Sequence, residues 1–298
     1  MSNGTICILM PGDMGHGVSL ALREHGYETI TALDGRSDRT RGLAEAGKLT
    51  DVGTLDAAVK AADMVLSILP PTFAPDLATD VAAAMGRTGA TPVYVDCNAI
   101  SPGTAVKISE TITEAGAAFI DCGIVGLAPN KSEDTRFYVS GKDTAPMQAL
   151  DGKGFKVMSL GDTPGQASAL KMAYAGLTKG SWTLWTAVLL TAERNGLLEP
   201  LIDELEHSQG PTLERMRSMV PFLPADSGRW VGEMEEIAKT FREADVSGSF
   251  HDGAAWMFAL LTETPFADET RETLDRSRTL EDSVRAYGAA LDKRTSQK

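Results

Sequence analysis

Three glycines follow the first apolar run of this chain, in "ILMPGDMGHG", residues 8–17. Gly12, Gly15 and Gly17 suit a strand-to-helix turn that admits a nucleotide. Gly12 would let the backbone approach a pyrophosphate, and Gly15 would let the helix pack closely on the strand. The helix that follows the turn would offer free N–H groups and the positive end of its dipole, with Asp13, Met14 and Gly15 beside Gly12 as candidate cofactor contacts. The turn departs from the dinucleotide pattern at its start, where Met10-Pro11 stands in place of glycine. About 20 residues on, such a site places the group that reads the adenine ribose. Here that stretch is "TALDGRSDRTR", residues 31–41. Asp34 could bond a ribose 2′-hydroxyl, as NAD requires. Arg36 and Ser37 could grip a 2′-phosphate, as NADP requires. The position of Gly35-Arg36-Ser37 directly after the strand favours NADP and leaves NAD possible.

A third cluster lies in "GQASALKMAYAG", residues 165–176. Helical spacing puts Ser168, Lys171, Tyr174, Ala175 and Thr178 on one stripe. A lysine there can bury its stem and extend its head to water. Partly desolvated, it can instead hold a lowered pKa and move protons near neutrality. The residues alone leave both readings open.

The elements that must position these groups follow from the rhythm of the first half. Strand-like runs are expected at residues 6–10, 28–33, 64–69, 91–96, 118–121 and 136–139, with helices at 18–24, 39–45, 55–61, 75–85 and 103–114. Runs such as "MVLSIL" and "PVYVD" are apolar throughout, as strands covered on both faces are. The alternation predicts right-handed βαβ units and an α/β domain with a parallel sheet. The rhythm stops near Gly161, and nearly every later segment has helical spacing. The predicted organisation is therefore an α/β domain over residues 1–163, carrying the nucleotide turn, and an all-α domain over 164–298.

The chain of 298 residues carries a formal net charge of −13, which argues against nucleic-acid and anionic-membrane surfaces. Its three cysteines, Cys7, Cys97 and Cys122, have no metal spacing and form no even disulfide set. A reducing cytoplasm is the simplest setting. The N-terminal apolar run ends at Pro11-Gly12 without a cationic region, unlike a signal peptide. The apolar stretch 172–192 contains Lys179 and reads as a core helix rather than a membrane span. Part of it, "GSWTLWTAVLLTA", is too apolar to face water and predicts a homodimer through the helical domain.

With these residues in view, the chain resembles the β-hydroxyacid dehydrogenases and 6-phosphogluconate dehydrogenase. "ILMPGDMGHGVSLALREHG" resembles their opening turn, with Met10 at the first glycine. "SILPP" (67–71) is similar to the loop beside the cofactor, and "VDCNAISP" (95–102) to the loop after the next strand. "FIDCGIVGLAP" (119–129) is similar to the substrate-binding segment, and "GQASALKMAYAG" to the start of the helix with the catalytic lysine. "RWVGEMEEIAKTF" (229–241) resembles a bacterial subgroup with a poorly characterised C-terminal domain.

The resemblance implies a Rossmann domain with a doubly wound, mainly parallel sheet over residues 1–163, a helical substrate-binding and dimerisation domain over 164–298, and a site in the cleft between them. Lys171 would be general acid and base. Leu69, Pro70, Pro71 and Asn98 would line the cofactor, Asn98 also touching substrate. Gly123, Ile124, Val125 and Tyr174 would contact substrate. It implies hydride transfer between a nicotinamide and a small hydroxy or carbonyl compound. Where the family has asparagines after its lysine, this chain has Tyr174 and Ala175; where it has a substrate-segment serine, this chain offers only backbone. An imine reductase and a silent NADP-binding regulator share the architecture, and retained Lys171 argues against both. Trp230, Glu233, Glu235 and Glu236 could face the cleft from a later helix, with a solvated acidic face the favoured reading for each glutamate, and His251 and Trp256 are expected as structural.

Overall fold

Strand and helix alternate from Thr5 to Gly161, as the apolar runs require. A computed structural model describes residues 3–271 and 273–296. In chain order it has β1 (Thr5–Leu9), α1 (Asp13–Glu24), β2 (Glu28–Thr31), α2 (Asp38–Ala46), β3 (Thr50–Asp51), α3 (Leu55–Ala61), β4 (Met64–Ser67), α4 (Ala74–Thr88), β5 (Val93–Asp96), α5 (Pro102–Glu114), β6 (Phe119–Val125), β7 (Arg136–Ser140), α6 (Ala145–Gln148) and β8 (Lys156–Gly161). Five helices follow: α7 (Gln166–Arg194), α8 (Leu198–Met219), α9 (Pro224–Glu243), α10 (Ser249–Leu261) and α11 (Leu280–Ser296).

The eight strands form one sheet in the order β3-β2-β1-β4-β5-β6-β7-β8, parallel except between β6 and β7. Successive residues of β1 face opposite cores: Ile6 and Ile8 lie in one cluster, Cys7 and Leu9 in the other. The sheet is buried on both faces, which is why its strands read as unbroken apolar runs. Helix ends carry local signals. Thr54 caps α3 by accepting from the Ala57 N–H, and Ser101 caps α5 by accepting from the Thr104 N–H, with Pro102 next in line.

Two strands were not legible. β3 is two exposed residues, too short for any pattern. β8 is largely exposed and lies at the sheet edge. β6 also runs further than expected, to Val125. Its second half pairs with β7, matching Gly123 to Tyr138, Ile124 to Phe137 and Val125 to Arg136. The expected substrate-contacting residues 123–125 are therefore strand residues, not a loop.

Contacts divide the chain into compact units between Met172 and Ala173. The first turns of α7 group with the sheet, so the division falls later than the onset of helical rhythm at about residue 163. Within the helical unit, Trp230 packs between Trp182 and Phe258, with ring centroids at 5.4 and 5.1 Å. Lys179 Nζ donates to Glu233 Oε1 at 2.6 Å; the Glu233 residue is buried and the Lys179 side chain is 11% exposed. Glu233 is thus a core ion-pair partner, whereas Glu235 is exposed and Glu236 half-buried beside Lys239. His251 packs edge-on against Phe241, and its ring limits the space at Gly176 and Gly180. Trp256 is half exposed, near Arg294. The chain bends within α8 at Gln209, beside the "QGP" break in the sequence. Among the described residues no helix is long and apolar enough to cross a membrane.

Candidate functional site

Register places a row of residues side by side across five strands. Leu9 pairs with Ser67, Ser67 with Asp96, Asp96 with Asp121, and Asp121 with Ser140. β1, β4, β5 and β6 are mutually parallel, so the segments after Leu9, Ser67 and Asp96 leave the sheet on one side. The glycine turn, "SILPP" and Asn98 are those segments. This is the carboxyl edge, where open α/β sheets bind ligands.

The glycine turn is built for close approach. Gly12 precedes α1 without a side-chain cap, and no atom lies within 4 Å of where its Cβ would be. The helix N-terminus at Asp13, Met14 and Gly15 is therefore open to an anion. Gly15 serves packing: a Cβ there would lie 3.1 Å from Ile8 Cγ2. Gly17 meets a different constraint, because a Cβ would collide with the Asn130 side chain. His16 holds the same loop. Its Nδ1 lies 3.2 Å from the Gly12 carbonyl and its Nε2 3.2 Å from Asn130 Nδ2, consistent with a ring that donates to Gly12 and accepts from Asn130. Sequence reasoning missed His16 and Asn130, because their partnership spans 114 residues.

Arg36 and Ser37 follow β2 on the exposed surface. Ser37 caps α2 through the Thr40 N–H. Arg36 Nη1 reaches back to Met10 Sδ at 2.9 Å, and Arg39 Nη2 pairs with Asp13 Oδ2 at 3.1 Å. Two guanidinium groups thus stand beside the glycine turn, while Arg41 turns away to the Leu33 carbonyl at 2.6 Å. Asp34 is exposed on the same loop. An open helix N-terminus with cations beside it fits the phosphates of a dinucleotide.

Asn98 is buried and its amide serves the protein. Oδ1 accepts from the Leu69 N–H at 2.7 Å, and Nδ2 donates to Ser67 Oγ at 2.9 Å. It ties together the loops after β4 and β5, bringing Leu69 and the Pro70-Pro71 turn alongside. Its own N–H donates to Asp96 Oδ1 at 3.0 Å. Asp96 Oδ2 is buried without a hydrogen-bond partner. Burial pushes the Asp96 carboxyl up to about 7, with nearby Asp121 adding to the rise.

Lys171 sits one turn beyond Ser168 on α7, partly exposed. Gly123 of β6 is what lets α7 approach: a Cβ there would lie 2.7 Å from both Lys171 Cβ and the Ala167 carbonyl oxygen. Ile124 and Val125 are buried beside it. Tyr174, on the next turn, is 48% exposed.

The first part of the chain, residues 5–151, matches the NAD binding domain of 6-phosphogluconate dehydrogenase, and residues 192–261 match a domain of unknown function, DUF1932. An uncharacterised 28.5 kDa protein of Methanothermus fervidus is 31% identical over 61% of this chain and 69% of its own length. The mitochondrial 3-hydroxyisobutyrate dehydrogenase of Drosophila melanogaster is 27% identical over 47% of this chain and 42% of its own. Among solved structures, a conserved protein of unknown function with structural similarity to 3-hydroxyacid dehydrogenases is 27% identical. It superposes with a TM-score of 0.64 over 87% of this chain and 96% of its own.

Asp96 sets a pH test. The unfolded chain ionises this group near pH 4, whereas the folded chain keeps the proton to about 7. Its contribution to stability is fully present below about pH 4 and is lost as pH rises to 7, by about 1.4 kcal/mol per unit. Asp96→Asn keeps an acceptor for the Asn98 N–H and cannot ionise. Urea unfolding should show this variant gaining about 2–3 kcal/mol on the unsubstituted protein between pH 5 and pH 8. A constant difference across that range would show that Asp96 holds no proton.

Proposed function

The chain belongs to the family built on the NAD-binding domain of 6-phosphogluconate dehydrogenase, and from that premise we propose that it is an NADP-preferring oxidoreductase acting on a small hydroxy or carbonyl compound, with Lys171 as its general acid and base. One observation carries the reading: α7 is seated on β6 at Gly123, where a side chain would strike Lys171 Cβ at 2.7 Å. This puts a partly exposed lysine in the same unit as the open glycine turn and the carboxyl edge.

Gly12, Asp13, Met14 and Gly15 would hold the pyrophosphate by backbone N–H groups. Arg36 and Ser37 would hold the 2′-phosphate. Leu69, Pro70 and Pro71, braced by Asn98, would line the nicotinamide side. When bound there, the nicotinamide supplies acceptance or return of a hydride. In the oxidative direction, with the hydride passing to that nicotinamide, neutral Lys171 would take the hydroxyl proton. In reduction, charged Lys171 returns that proton to the oxygen. Gly123, Ile124 and Val125 bound the substrate space from β6, and Tyr174 is a second candidate contact.

The cofactor assignment predicts that Arg36→Ala weakens NADPH binding about 10- to 150-fold, the loss of one charge-assisted contact, and leaves NADH binding nearly unchanged. Calorimetric titration with both cofactors reads this directly. Equal affinity of the unsubstituted protein for the two would remove the NADP preference.

The chemical assignment predicts that Lys171→Met lowers turnover about 10²- to 10⁴-fold while NADPH affinity changes little. The assay is NADPH consumption with a panel of aldehydes, ketoacids and imines. Tyr174→Phe should cost about tenfold or less if it only orients substrate. A larger loss for Tyr174→Phe than for Lys171→Met would make tyrosine the acid. Retention of more than about a third of turnover by Lys171→Met would end the lysine reading.

We further propose a homodimer through α7. Tyr174, Leu177, Leu184 and Val188 recur at helical spacing along it, and Leu177 and Leu184 are 70% and 62% exposed. An apolar groove of about 590 Å³ between the end of α7 and the start of α8 extends this surface. Light scattering at micromolar concentration should give twice the chain mass, and Leu184→Glu should give a monomer. A monomer for the unsubstituted protein, with and without NADPH, would count against it.

A further inference from the structure

The start of α7 has an unusual cap. Its leading N–H groups are accepted by side chains of two sheet strands. Asp121 Oδ2 accepts from the Gly165 N–H at 2.8 Å and the Ser168 N–H at 3.0 Å. Asp121 Oδ1 accepts from Ser168 Oγ at 2.6 Å. Ser140 Oγ donates to Asp121 Oδ2 at 3.0 Å and accepts from the Ala167 N–H, also at 3.0 Å. Asp121, Ser140 and Ser168 are all fully buried. Five hydrogen bonds therefore join β6, β7 and the first turn of α7 in a site closed to water. Such a network, satisfied throughout, holds its elements in one arrangement.

We propose that Asp121 is a positioning residue for Lys171: its carboxylate anchors the first turn of α7 so that the lysine, one turn on, stands at a fixed place over Gly123. The inference rests on the reading of Lys171 as acid and base. Ser168 and Lys171 are three residues apart and share a helix face. Asp121 and Gly123 are two residues apart and share a strand face. One strand thus fixes α7 at two points, by hydrogen bonds at Asp121 and by close contact at Gly123. Removal of the first point frees the helix start to slide or rotate, and Lys171 moves with it. Supporting contacts of this kind matter by about 10- to 100-fold in activity, because a displacement of about 1 Å is costly in a proton-transfer site.

The test compares Asp121→Ala, Asp121→Asn and Ser140→Ala with the unsubstituted protein. The first readout needs no substrate: the rate at which trinitrobenzenesulfonate labels Lys171, followed by peptide mass spectrometry. Lys60 on α3 and Lys107 on α5 are the internal controls. Asp121→Ala should change the Lys171 rate at least about threefold and leave both controls unchanged. Ser140→Ala and Asp121→Asn, which keep part of the network, should give smaller changes in the same direction. They carry the test alone if Asp121→Ala does not fold. Turnover with the fastest panel compound should fall about 10- to 100-fold in Asp121→Ala, with NADPH affinity within about twofold. Lys171 labelling within twofold of the unsubstituted protein in every folded variant would overturn the proposal. So would a loss of NADPH affinity that matches the loss of turnover. Full turnover by Lys171→Met, run in parallel, would remove the acid–base role yet leave the anchoring measured by labelling intact, so the two failures are told apart.

Discussion

Four buried polar side chains, Ser67, Asp96, Asp121 and Ser140, lie side by side across β4 to β7, and the candidate site is suspended from them. Ser67 accepts from Asn98, Asp96 accepts from the backbone of Asn98, and Asp121 and Ser140 hold the start of α7. Beyond this row β1, β4 and β5 give way to loops whose backbone groups lack sheet partners, while β6 and β7 run on together as far as Val125 and Arg136 and meet the start of α7. Buried backbone groups must be paired somewhere. A polar row placed where β4 and β5 end, and where α7 starts against β6 and β7, supplies partners for those groups and fixes the segments relative to one another.

The two carboxylates of the row are neighbours in register but unequal in surroundings. Asp121 receives four donors around its two oxygens. Asp96 receives one backbone donor, and its second oxygen meets none. Burial raises both, and the four donors hold back the rise at Asp121. Two buried like charges on adjacent strands are costly to maintain together. The donor count decides which keeps its charge: Asp121 is the better solvated by protein, and Asp96 is the one whose carboxyl is set near neutrality. Separation of two acids by their environments lets one act as a fixed charge and the other as a neutral group.

Much of this was legible along the chain, and the rest was not for a definite reason. The parallel sheet was readable because strands buried on both faces lose their polar residues. The glycine turn was readable because Gly12, Gly15 and Gly17 lie within six residues. Lys171 stood out only as a polar residue on an apolar helix, and family resemblance carried the rest. What stayed hidden depends on partners far apart in sequence. Asp121 lies 44 and 47 residues from the N–H groups it accepts, and Asn130 lies 114 from His16. Nothing near Gln166 announces a helix cap, since the cap belongs to another element. Glu233 looked like part of an acidic surface because its cation, Lys179, is 54 residues earlier. Periodicity reports which face is apolar; it does not report which polar residue crosses the core to meet another.

Met10, the departure from glycine that opens the chain's first motif, has a structural explanation. Its φ is +59°, in the left-handed region that a side chain enters at a cost of roughly 1–2 kcal/mol. Glycine would remove that cost and also remove the thioether that Arg36 reaches across 26 residues. Arg36 is exposed, and a long exposed side chain loses conformational freedom when held in one place. A contact to the turn itself restricts the guanidinium before any ligand arrives, and Arg39 on Asp13 does the same one helical turn on. The same backbone that leaves the helix N-terminus open to an anion therefore also carries the residues that keep two cations beside it. The motif is broken in its letters while its geometry and charge still suit a phosphate-bearing ligand.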